Sequence, residues 1–470
     1  MSEIVYYIFC GILSLAVLTG ISLMSKVKTA VAGNLLSAFS VLMGIVITLY
    51  YKEIFSVWTI FIFMLIGVLV GSVLARRVKM IEMPQLVALL NGVGGLASAL
   101  VGILSLVGIG IIISEYKVFV DVTSVLAIIV GLITLFGSMV AAAKLHKLLP
   151  QKPVKWKNHS AILNTLLFIM VGVTIASVFI ADNSIVLYIV LILSIIVSSV
   201  FGYAFAIRVG GADMPITISL LNSLSGVAGA IAGMAVNDLL LVSVGGIVGA
   251  SGLFLTQIMC RAMNRSLMDI LLGKTSTAGG SKIVETAVVV EPINIFESII
   301  EKRDKNDILK SAKSVIIVPG YGMALAQAQH LVKQLADKFE SNGADVKFAI
   351  HPVAGRMPGH MNVLLAEVDV PYDKLFEMDD VNDTFSDTDV VIVVGANDVI
   401  NPSARDAVDT PIYGMPVLNV DLAKEVFICN YDLQPGYAGV DNPLYNRNEG
   451  VYMLLGDAKE SLNELLDRLN

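Results

Sequence analysis

The second half of the chain contains the run Val315-Ile316-Ile317-Val318-Pro319-Gly320-Tyr321-Gly322. An apolar run that ends in glycines and precedes a helical pattern is typical of a strand leading into a nucleotide-binding turn. Outward from this run, predicted strands alternate with predicted helices up to about residue 429. This alternation indicates an α/β, Rossmann-like, doubly wound and mostly parallel sheet, in which ligands bind at the carboxyl ends of the strands.

Five apolar segments in this half are predicted to be strands. They are Ser314–Val318, Asp345–His351, Val390–Gly395, Pro416–Val420 and Val426–Cys429. A helix is predicted at Met323–Ser341, and a helix-like stretch at Phe296–Ala312 precedes the first strand.

The first half is an almost unbroken series of apolar segments. A hydrocarbon core of ~30 Å requires about 20 helical residues, and nine segments reach that length. They are Ile4–Met24, Val31–Tyr50, Ile54–Ala75, Pro84–Gly108, Val122–Ala143, Ala161–Ala181, Ile185–Ile207, Pro215–Val236 and Leu239–Met259. The first is interpreted as a retained span, because it lacks the basic region and the cleavage site of a signal peptide.

Composition supports this division of the chain. The 470 residues are 56% hydrophobic and only 15% charged, which is too apolar for a soluble protein. The net charge of −7 belongs mainly to the second half and argues against nucleic acid as a partner. The three cysteines are far apart and fit no metal site. We predict an all-α transmembrane domain at residues 1–262, a linker at 263–290 and a nucleotide-binding domain at 291–470.

The basic residues predict the orientation of the spans. Thirteen lysines and arginines lie on one side of the predicted membrane, whereas the other side has only Lys52 and Lys117. Because basic loops remain in the cytoplasm, the N-terminus is expected outside and the nucleotide-binding domain inside.

Two of the spans repeat each other. Met83-Pro84-Gln85-Leu86-Val87-Ala88-Leu89-Leu90-Asn91 matches Met214-Pro215-Ile216-Thr217-Ile218-Ser219-Leu220-Leu221-Asn222 at a spacing of 131 residues, and Gly102 matches Gly233 at the same spacing. Both copies enter from the same side, so the repeat is parallel.

The repeated asparagines, Asn91 and Asn222, have two possible roles. They can bond neighbouring helices, or they can line a hydrated path for protons or ions. The predicted spans contain no histidine and no charge in mid-membrane, so this chain offers no obvious protonatable relay there. Asp213, before the second copy, suits the first turn of a helix.

Three glycine-rich turns follow predicted strands: Gly320-x-Gly322, the segment Gly355–His360, and Gly395-Ala396-Asn397-Asp398. The third position of the usual dinucleotide fingerprint is Leu325, so the first turn alone is weak evidence. Three turns at one sheet edge indicate a nucleotide site more strongly than one turn does.

Several long motifs make a family resemblance specific. They are Pro319-Gly320-Tyr321-Gly322-Met323-Ala324, the segment His351–Glu367, Gly395-Ala396-Asn397-Asp398, Gly436-Tyr437-Ala438-Gly439-Val440 and the repeated membrane element. With these motifs the whole chain resembles the beta subunit of proton-translocating NAD(P) transhydrogenase. The resemblance implies Si/Re-specific hydride exchange between NAD(H) on a partner alpha subunit and NADP(H) bound here, coupled to proton passage. It also implies a dimer of alpha–beta units, and a separate beta chain indicates a bacterial plasma membrane.

The resemblance also implies roles for individual residues. The expected nucleotide contacts are Gly320, Tyr321, Gly322, Met323, Ala324, Gly355, Arg356, Met357, Gly395, Ala396, Asn397 and Asp398, with Gly436, Tyr437, Ala438 and Gly439 as a lid. The nicotinamide carries the hydride chemistry, so no catalytic acid or base is expected. The candidates for proton coupling are Asn91, Asp213, Asn222 and Asp398, and Arg261 and Arg265 are weaker ones. Asp398 has an alternative role as a loop-capping aspartate.

The sequence departs from the family pattern twice. Where relatives have Lys-Arg-Ser to hold the 2′-phosphate of NADP(H), this chain has Asn430-Tyr431-Asp432. An aspartate repels that phosphate, so either NAD(H) is preferred or Arg405 or Lys424 provides the grip. Many relatives also place a relay histidine at one of the positions of Asn91 and Asn222 or on the partner subunit. Asparagine cannot carry a proton, so a histidine of the partner is expected to do so here.

A different class of function is a nucleotide-gated transporter, in which the soluble domain only senses the nucleotide. The chain has no selectivity-filter motif and no charged residue in the middle of its predicted spans. Both observations count against this alternative.

Overall fold

A computed structural model describes residues 1–24, 29–78, 82–109, 116–150, 153–154, 156–179, 184–210, 213–262, 266–271, 305–355, 359–408, 410, 412–436, 438–447 and 449–469. Internal contacts separate a helical unit in the first half of the chain from an α/β unit in the second half.

The described part of the helical unit contains nine helices long and apolar enough to cross a membrane, as predicted. They are α1 (Glu3–Met24), α2 (Ala30–Tyr51), α3 (Trp58–Arg77), α4 (Met83–Leu106), α5 (Lys117–Leu145), α6 (His159–Ser177), α7 (Ser184–Ile207), α8 (Met214–Ala235) and α9 (Leu239–Ala262). A short helix, α10 (Leu267–Leu271), follows.

Helix α5 is the centre of this unit and packs against α4, α7 and α8. Its 29 residues extend about 43 Å at 1.5 Å per residue, which exceeds the ~30 Å hydrocarbon core. The predicted span, Val122–Ala143, was too short because charged residues at both ends interrupt the apolar run. As a result Asp121 and Lys144, expected outside the span, belong to the helix, and both are buried.

The sequence repeat is also a repeat in helix packing. A Cβ atom added to Gly95 on α4 would lie 2.6 Å from the Gly131 oxygen on α5, and one added to Gly226 on α8 would lie 2.5 Å from the Gly249 nitrogen on α9. Gly95 and Gly226 are separated by the same 131 residues as the asparagines. Each copy therefore uses a small residue at the same position to approach the helix that follows it, as small residues do in membrane bundles.

The described residues of the α/β unit form one six-stranded sheet. Its strands are β1 (Ser314–Pro319), β2 (Asp345–Ile350), β3 (Leu375–Glu377), β4 (Val390–Val394), β5 (Glu425–Asn430) and β6 (Val451–Leu455). The spatial order is β3-β2-β1-β4-β5-β6, and every pairing is parallel. This is the strand order of a doubly wound Rossmann sheet, so the predicted fold class is confirmed.

The helices of this unit are α11 (Lys305–Ser311), α12 (Tyr321–Ala326), α13 (Gln329–Ser341), α14 (His360–Glu367), α15 (Met378–Val381), α16 (Ser403–Asp406) and α17 (Ala458–Leu469). The single helix predicted at Met323–Ser341 is divided, because Gln327 adopts a left-handed conformation with a φ of 51°. Residues 296–304 of the other predicted helix lie outside the described residues.

One predicted strand is wrong. Pro416–Val420 contains no residues in a strand, and two of its carbonyl groups accept hydrogen bonds from side chains instead. His351 Nε2 bonds the Pro416 oxygen at 2.8 Å, and Asn382 Nδ2 bonds the Val417 oxygen at 3.0 Å. Proline also cannot donate to a strand ladder. The short strand β3 and the edge strand β6 were not predicted.

Candidate functional site

The glycine turns after β1 and β4 meet where the strand order of the sheet reverses. The Gly320 N–H donates to the Val394 oxygen and the Gly322 N–H to the Gly395 oxygen, both at 2.8 Å. A Cβ atom on Gly322 would lie 2.6 Å from the Gly395 Cα, and Gly395 has a φ of +67°. The glycines thus allow two backbones to touch at the switch point of the sheet, where doubly wound folds bind ligands.

The third predicted turn lies after β2. A Cβ atom on Gly355 would lie 2.7 Å from the His360 Cβ, so the turn is closed against the first residue of α14. Arg356 and Met357, the predicted phosphate contacts, lie outside the described residues.

Side chains that follow β4 hold the predicted lid that follows β5. Asp398 Oδ2 accepts the Ala438 N–H at 3.1 Å, and Asn397 Nδ2 donates to the Gln434 oxygen at 2.9 Å. A Cβ atom on Gly436 would lie 2.5 Å from Asp398 Oδ1. The structure therefore brings Asn397, Asp398, Gly436 and Ala438 together, whereas Tyr437 lies outside the described residues. The contact with Ala438 is the one expected of a loop-capping aspartate.

The segment that departs from the family pattern begins at the last residue of β5. Asn430 is buried, and its Nδ2 donates to the Ala396 oxygen at 2.9 Å and to the Tyr445 hydroxyl at 2.8 Å. Burial raises the pKa of Tyr445, so this hydroxyl keeps its proton. Tyr431 is 80% exposed, and the exposed Asp432 accepts the Gln434 N–H at 3.0 Å. Asn430 is thus bound within the unit, while Tyr431 and Asp432 face outward.

The two cations considered as substitutes for the phosphate grip already have partners. Arg405 donates to both carboxylate oxygens of Asp421, at 2.7 and 2.9 Å. Lys424 immediately precedes β5 and donates to Asp389 Oδ1 at 2.8 Å. Asp389 immediately precedes β4, so this pair lies at the amino edge of the sheet, opposite the edge where ligands bind. The suggestion that Lys424 grips the phosphate is therefore wrong.

His351 is buried at the end of β2. Its Nδ1 accepts the Val353 N–H at 3.3 Å, so Nε2 carries the proton donated to Pro416. Burial lowers the pKa of His351 to about 4. The neutral ring connects β2 to the segment before β5, so its role in the site is structural.

In the helical unit, Asn91 joins the two repeated helices. It is 7% exposed, and its Nδ2 donates to the Ile218 oxygen of α8 at 3.4 Å. Ile218 is one turn before Asn222, which is partly buried. The contact has the geometry expected of a bond between helices and directs one asparagine toward the turn that carries the other.

Sequence reasoning missed Ser138, which lies on α5 against this region. A Cβ atom on Gly92 would lie 3.2 Å from the Ser138 Cβ, so Ser138 is adjacent to the residue after Asn91. Ser138 is fully buried, and its hydroxyl has no hydrogen-bond partner in the part of the chain that the structure describes. Small residues seven apart, Ser124, Gly131 and Ser138, are the signal that could have identified this face of α5.

Asp213 begins α8 and is 3% exposed. Its backbone N–H donates to the Gly210 oxygen at 3.2 Å, which closes the turn between α7 and α8. Arg208, in the same turn, is also buried, and burial lowers its pKa. Arg261 is exposed, and Arg265 lies outside the described residues.

The switch point of the sheet fits a dinucleotide. Its walls are the glycine segments after β1 and β4. Because glycine has no side chain, nothing at these positions obstructs the approach of a phosphate or a ring. The lid that Asp398 holds would cover the same edge. Arg405 and Lys424, the two cations proposed to hold a 2′-phosphate, are both ion-paired.

Comparisons with known proteins identify the family to which the chain is similar. Residues 6–468 match the family described as NAD(P) transhydrogenase beta subunit. The chain is 40% identical over 471 residues to NAD(P) transhydrogenase subunit beta of Rhodospirillum rubrum. The matched region covers 99% of this chain and 98% of that protein. A second sequence with the same description, from a particular strain of that organism, matches to the same extent.

Proposed function

The chain belongs to the NAD(P) transhydrogenase beta subunit family, and from this premise we propose that it binds NADP(H) at the switch point of its sheet. Hydride would pass between that nucleotide and NAD(H) on a partner alpha subunit, with proton translocation through the helical unit. The observation that supports this proposal best is the backbone contact between Gly322 and Gly395 beneath a lid held by Asp398.

The nicotinamide ring supplies the hydride chemistry, and the residues of this chain bind and orient the nucleotide. The segment Gly320–Ala324, which includes the start of α12, and the turn Gly395–Asp398 would form two walls, and Gly355, Arg356 and Met357 would hold the phosphates. The segment Gly436–Gly439 would cover the nucleotide and exclude water. No side chain of this chain acts as an acid or a base in the hydride step.

Proton coupling would use Asn91, Asn222 and Asp213 in the helical unit and Asp398 in the α/β unit. Asn91 and Asn222 orient water between α4 and α8, because an amide both donates and accepts hydrogen bonds. The amide itself carries no proton, so the partner subunit provides the protonatable group.

The family and the nine apolar helices among the described residues support a membrane protein. We propose a bacterial plasma membrane, an outside N-terminus and a cytoplasmic α/β unit, since the basic residues are concentrated on one side. The complete enzyme would be a dimer of alpha–beta units.

Hydride exchange tests this function directly. The chain is produced with its alpha subunit in membrane vesicles, and reduction of an NAD⁺ analogue by NADPH is measured spectroscopically. Exchange that requires both subunits is expected. Absence of exchange, together with a solute flux that responds to nucleotide, would favour the nucleotide-gated transporter.

A second candidate is a subunit that prefers NAD(H) at this site. The outward-facing Tyr431 and Asp432, together with the paired state of Arg405, favour this alternative. A carboxylate suits a ribose 2′-hydroxyl and repels a phosphate.

Titration of NADPH and NADH into residues 291–470 separates the two candidates. If Asp432 replaces the phosphate grip, NADPH binds weakly, and Tyr431→Arg with Asp432→Ser strengthens it about 10- to 100-fold, as expected for charge-assisted hydrogen bonds. This double variant keeps the bonds of Asn430 to Ala396 and Tyr445, whereas adding Asn430→Lys breaks them. Tight NADPH binding by the unaltered protein would exclude the NAD(H) preference.

A further inference from the structure

Among the described residues, Lys144 has the largest side chain that is completely buried. Only 1% of this residue is exposed. It lies in the last turn of α5, and its amine reaches the end of α7. Nζ donates to the Ile207 oxygen and, at 2.8 Å, to the Val209 oxygen. These two carbonyl groups flank Arg208 in the turn that leads to α8.

The bonds of Lys144 satisfy a need of helix α7. The last carbonyl groups of a helix lack partners within the helix, and the negative end of the helix dipole favours a cation there. The surroundings are apolar, because Ala142, Leu145, Val209 and Met214 belong to one buried cluster. Water is a poor substitute for the amine in such a place.

The same bonds fix the turn that presents Asp213. Val209 is followed by Gly210, whose oxygen accepts the Asp213 N–H at 3.2 Å, and α8 begins at the next residue, Met214. A displacement of Val209 would therefore shift the start of α8, the helix that carries Asn222.

Lys144 also connects this turn to the first copy of the repeat. Its own helix, α5, packs along α4 through Gly95 and Gly131 and carries Ser138 beside Gly92. The Lys144 amine thus joins α5, which packs against α4, to the end of α7 and to the turn that leads into α8.

We propose that Lys144 is a positioning residue for proton coupling. Its hydrogen bonds hold the turn that contains Asp213 in a fixed position relative to α5. This inference rests on the proposed function, because it concerns the coupling of that same reaction. A purely structural role for Lys144 is the alternative outcome of its test.

The test uses the complete alpha–beta complex in inverted membrane vesicles. Lys144→Met removes the donors at nearly constant length, and Lys147→Met removes a neighbouring exposed charge as a matched control. Proton uptake, measured by quenching of a pH-sensitive dye, is divided by the rate of hydride exchange in the same vesicles. The ratio is expected to fall about tenfold in Lys144→Met, because the Val209 oxygen loses the Lys144 donor and the Ile207 oxygen keeps only the Val154 N–H. It is expected to stay unchanged in Lys147→Met.

Two further variants separate positioning from stability. Lys144→Arg keeps a cation with several donors and is expected to recover most of the ratio. Lys144→Gln, which keeps one N–H donor group, is expected to give an intermediate ratio and serves if Lys144→Met does not accumulate. An unchanged ratio in both Lys144→Met and Lys144→Gln, or a parallel loss of both activities and of thermal stability, would overturn the inference. Absence of hydride exchange in the wild-type complex would instead overturn the proposed function on which it rests.

Discussion

The two units use glycine for different physical reasons. In the α/β unit, Gly395 adopts a φ of +67° and lies against Gly322, so that two turns touch. In the helical unit, Gly95 and Gly226 stay within regular helices and only permit close approach of a neighbouring helix. The first use requires a backbone conformation that other residues avoid, whereas the second requires only the absence of a side chain.

Polar side chains differ in a similar way. In the α/β unit, Asn397 and Asp398 bind the backbone of a loop about 40 residues later, which can open into water. In the helical unit, Asn91 binds the backbone of a helix 127 residues later, where an unpaired amide would be costly. The comparison indicates that breaking the contacts at the nucleotide site exposes polar groups to water, whereas breaking the contact of Asn91 leaves a buried amide without a partner.

The largest effect is expected from Gly395→Ala. Its Cβ atom would lie 2.5 Å from the Met323 nitrogen at a positive φ, so strain and overlap together cost about 3–5 kcal/mol of folding free energy. Nucleotide affinity is expected to decrease as well, because the turn that forms one wall of the site is distorted. Gly343→Ala, with a φ of +90° and open space, is the control and should cost about 1 kcal/mol. Equal effects in urea unfolding would show that the turn contact is unimportant.

A comparable substitution in the helical unit is Gly95→Leu. The side chain would meet Gly131 and Thr134 on α5, and overpacking is expected to cost about 1–3 kcal/mol. Thermal unfolding in detergent measures the effect. Gly172→Leu is the control, because no described atom lies within 4 Å of its Cβ position. If both variants unfold at the wild-type temperature, the small-residue seam is not what holds α4 to α5.

Asn222→Leu is expected to impair the function of the helical unit and to leave that of the α/β unit intact. We expect proton pumping to fall about tenfold or more, since a polar partner in the membrane is lost, with nucleotide binding unchanged. Asn164→Leu, at an exposed position of α6, is the matched control. Undiminished pumping would remove Asn222 from the path.

The last effect depends on pH and is confined to the α/β unit. The pKa of His351 is lowered to about 4 from an ordinary value of about 6.5, so between these values the unfolded chain binds a proton that the folded chain does not. Stability is therefore expected to decrease as the pH falls from 6.5 toward 4, by up to about 1.4 kcal/mol per pH unit. Urea unfolding at pH 7 and pH 5 measures this slope. His351→Gln should reduce it and His330→Gln, at an exposed position, should not; equal slopes in both would contradict the assignment.

Much of the fold follows from local patterns. The strands β1 and β4 were predicted because apolar runs end in glycine, and the nine spans because their lengths match a bilayer. Pro416–Val420 looked like a strand, but its carbonyl groups bind His351 and Asn382, which are 65 and 35 residues away.

The sites show the same limit. The repeated motif identified Asn91 and Asn222. The hydrogen-bond partner of Asn91, the Ile218 oxygen, becomes evident only when α4 and α8 pack. Lys144 was missed because a charge at the end of an apolar run reads as a loop, whereas its carbonyl partners lie 63 and 65 residues away. The inward position of Asn430 depends on Ala396 and Tyr445 and could not be read from its neighbours.

The central claim is that nucleotide chemistry at the sheet drives proton movement through the helices. Its most direct test follows dye quenching in inverted vesicles that contain the complete alpha–beta complex, upon addition of NADPH and an NAD⁺ analogue. The account predicts a proton gradient that forms only when both nucleotides are present and collapses with an uncoupler. In Asn222→Leu vesicles that still bind nucleotide, proton pumping is expected to fall about tenfold or more. Hydride exchange at full rate without any gradient in the wild-type complex would contradict it.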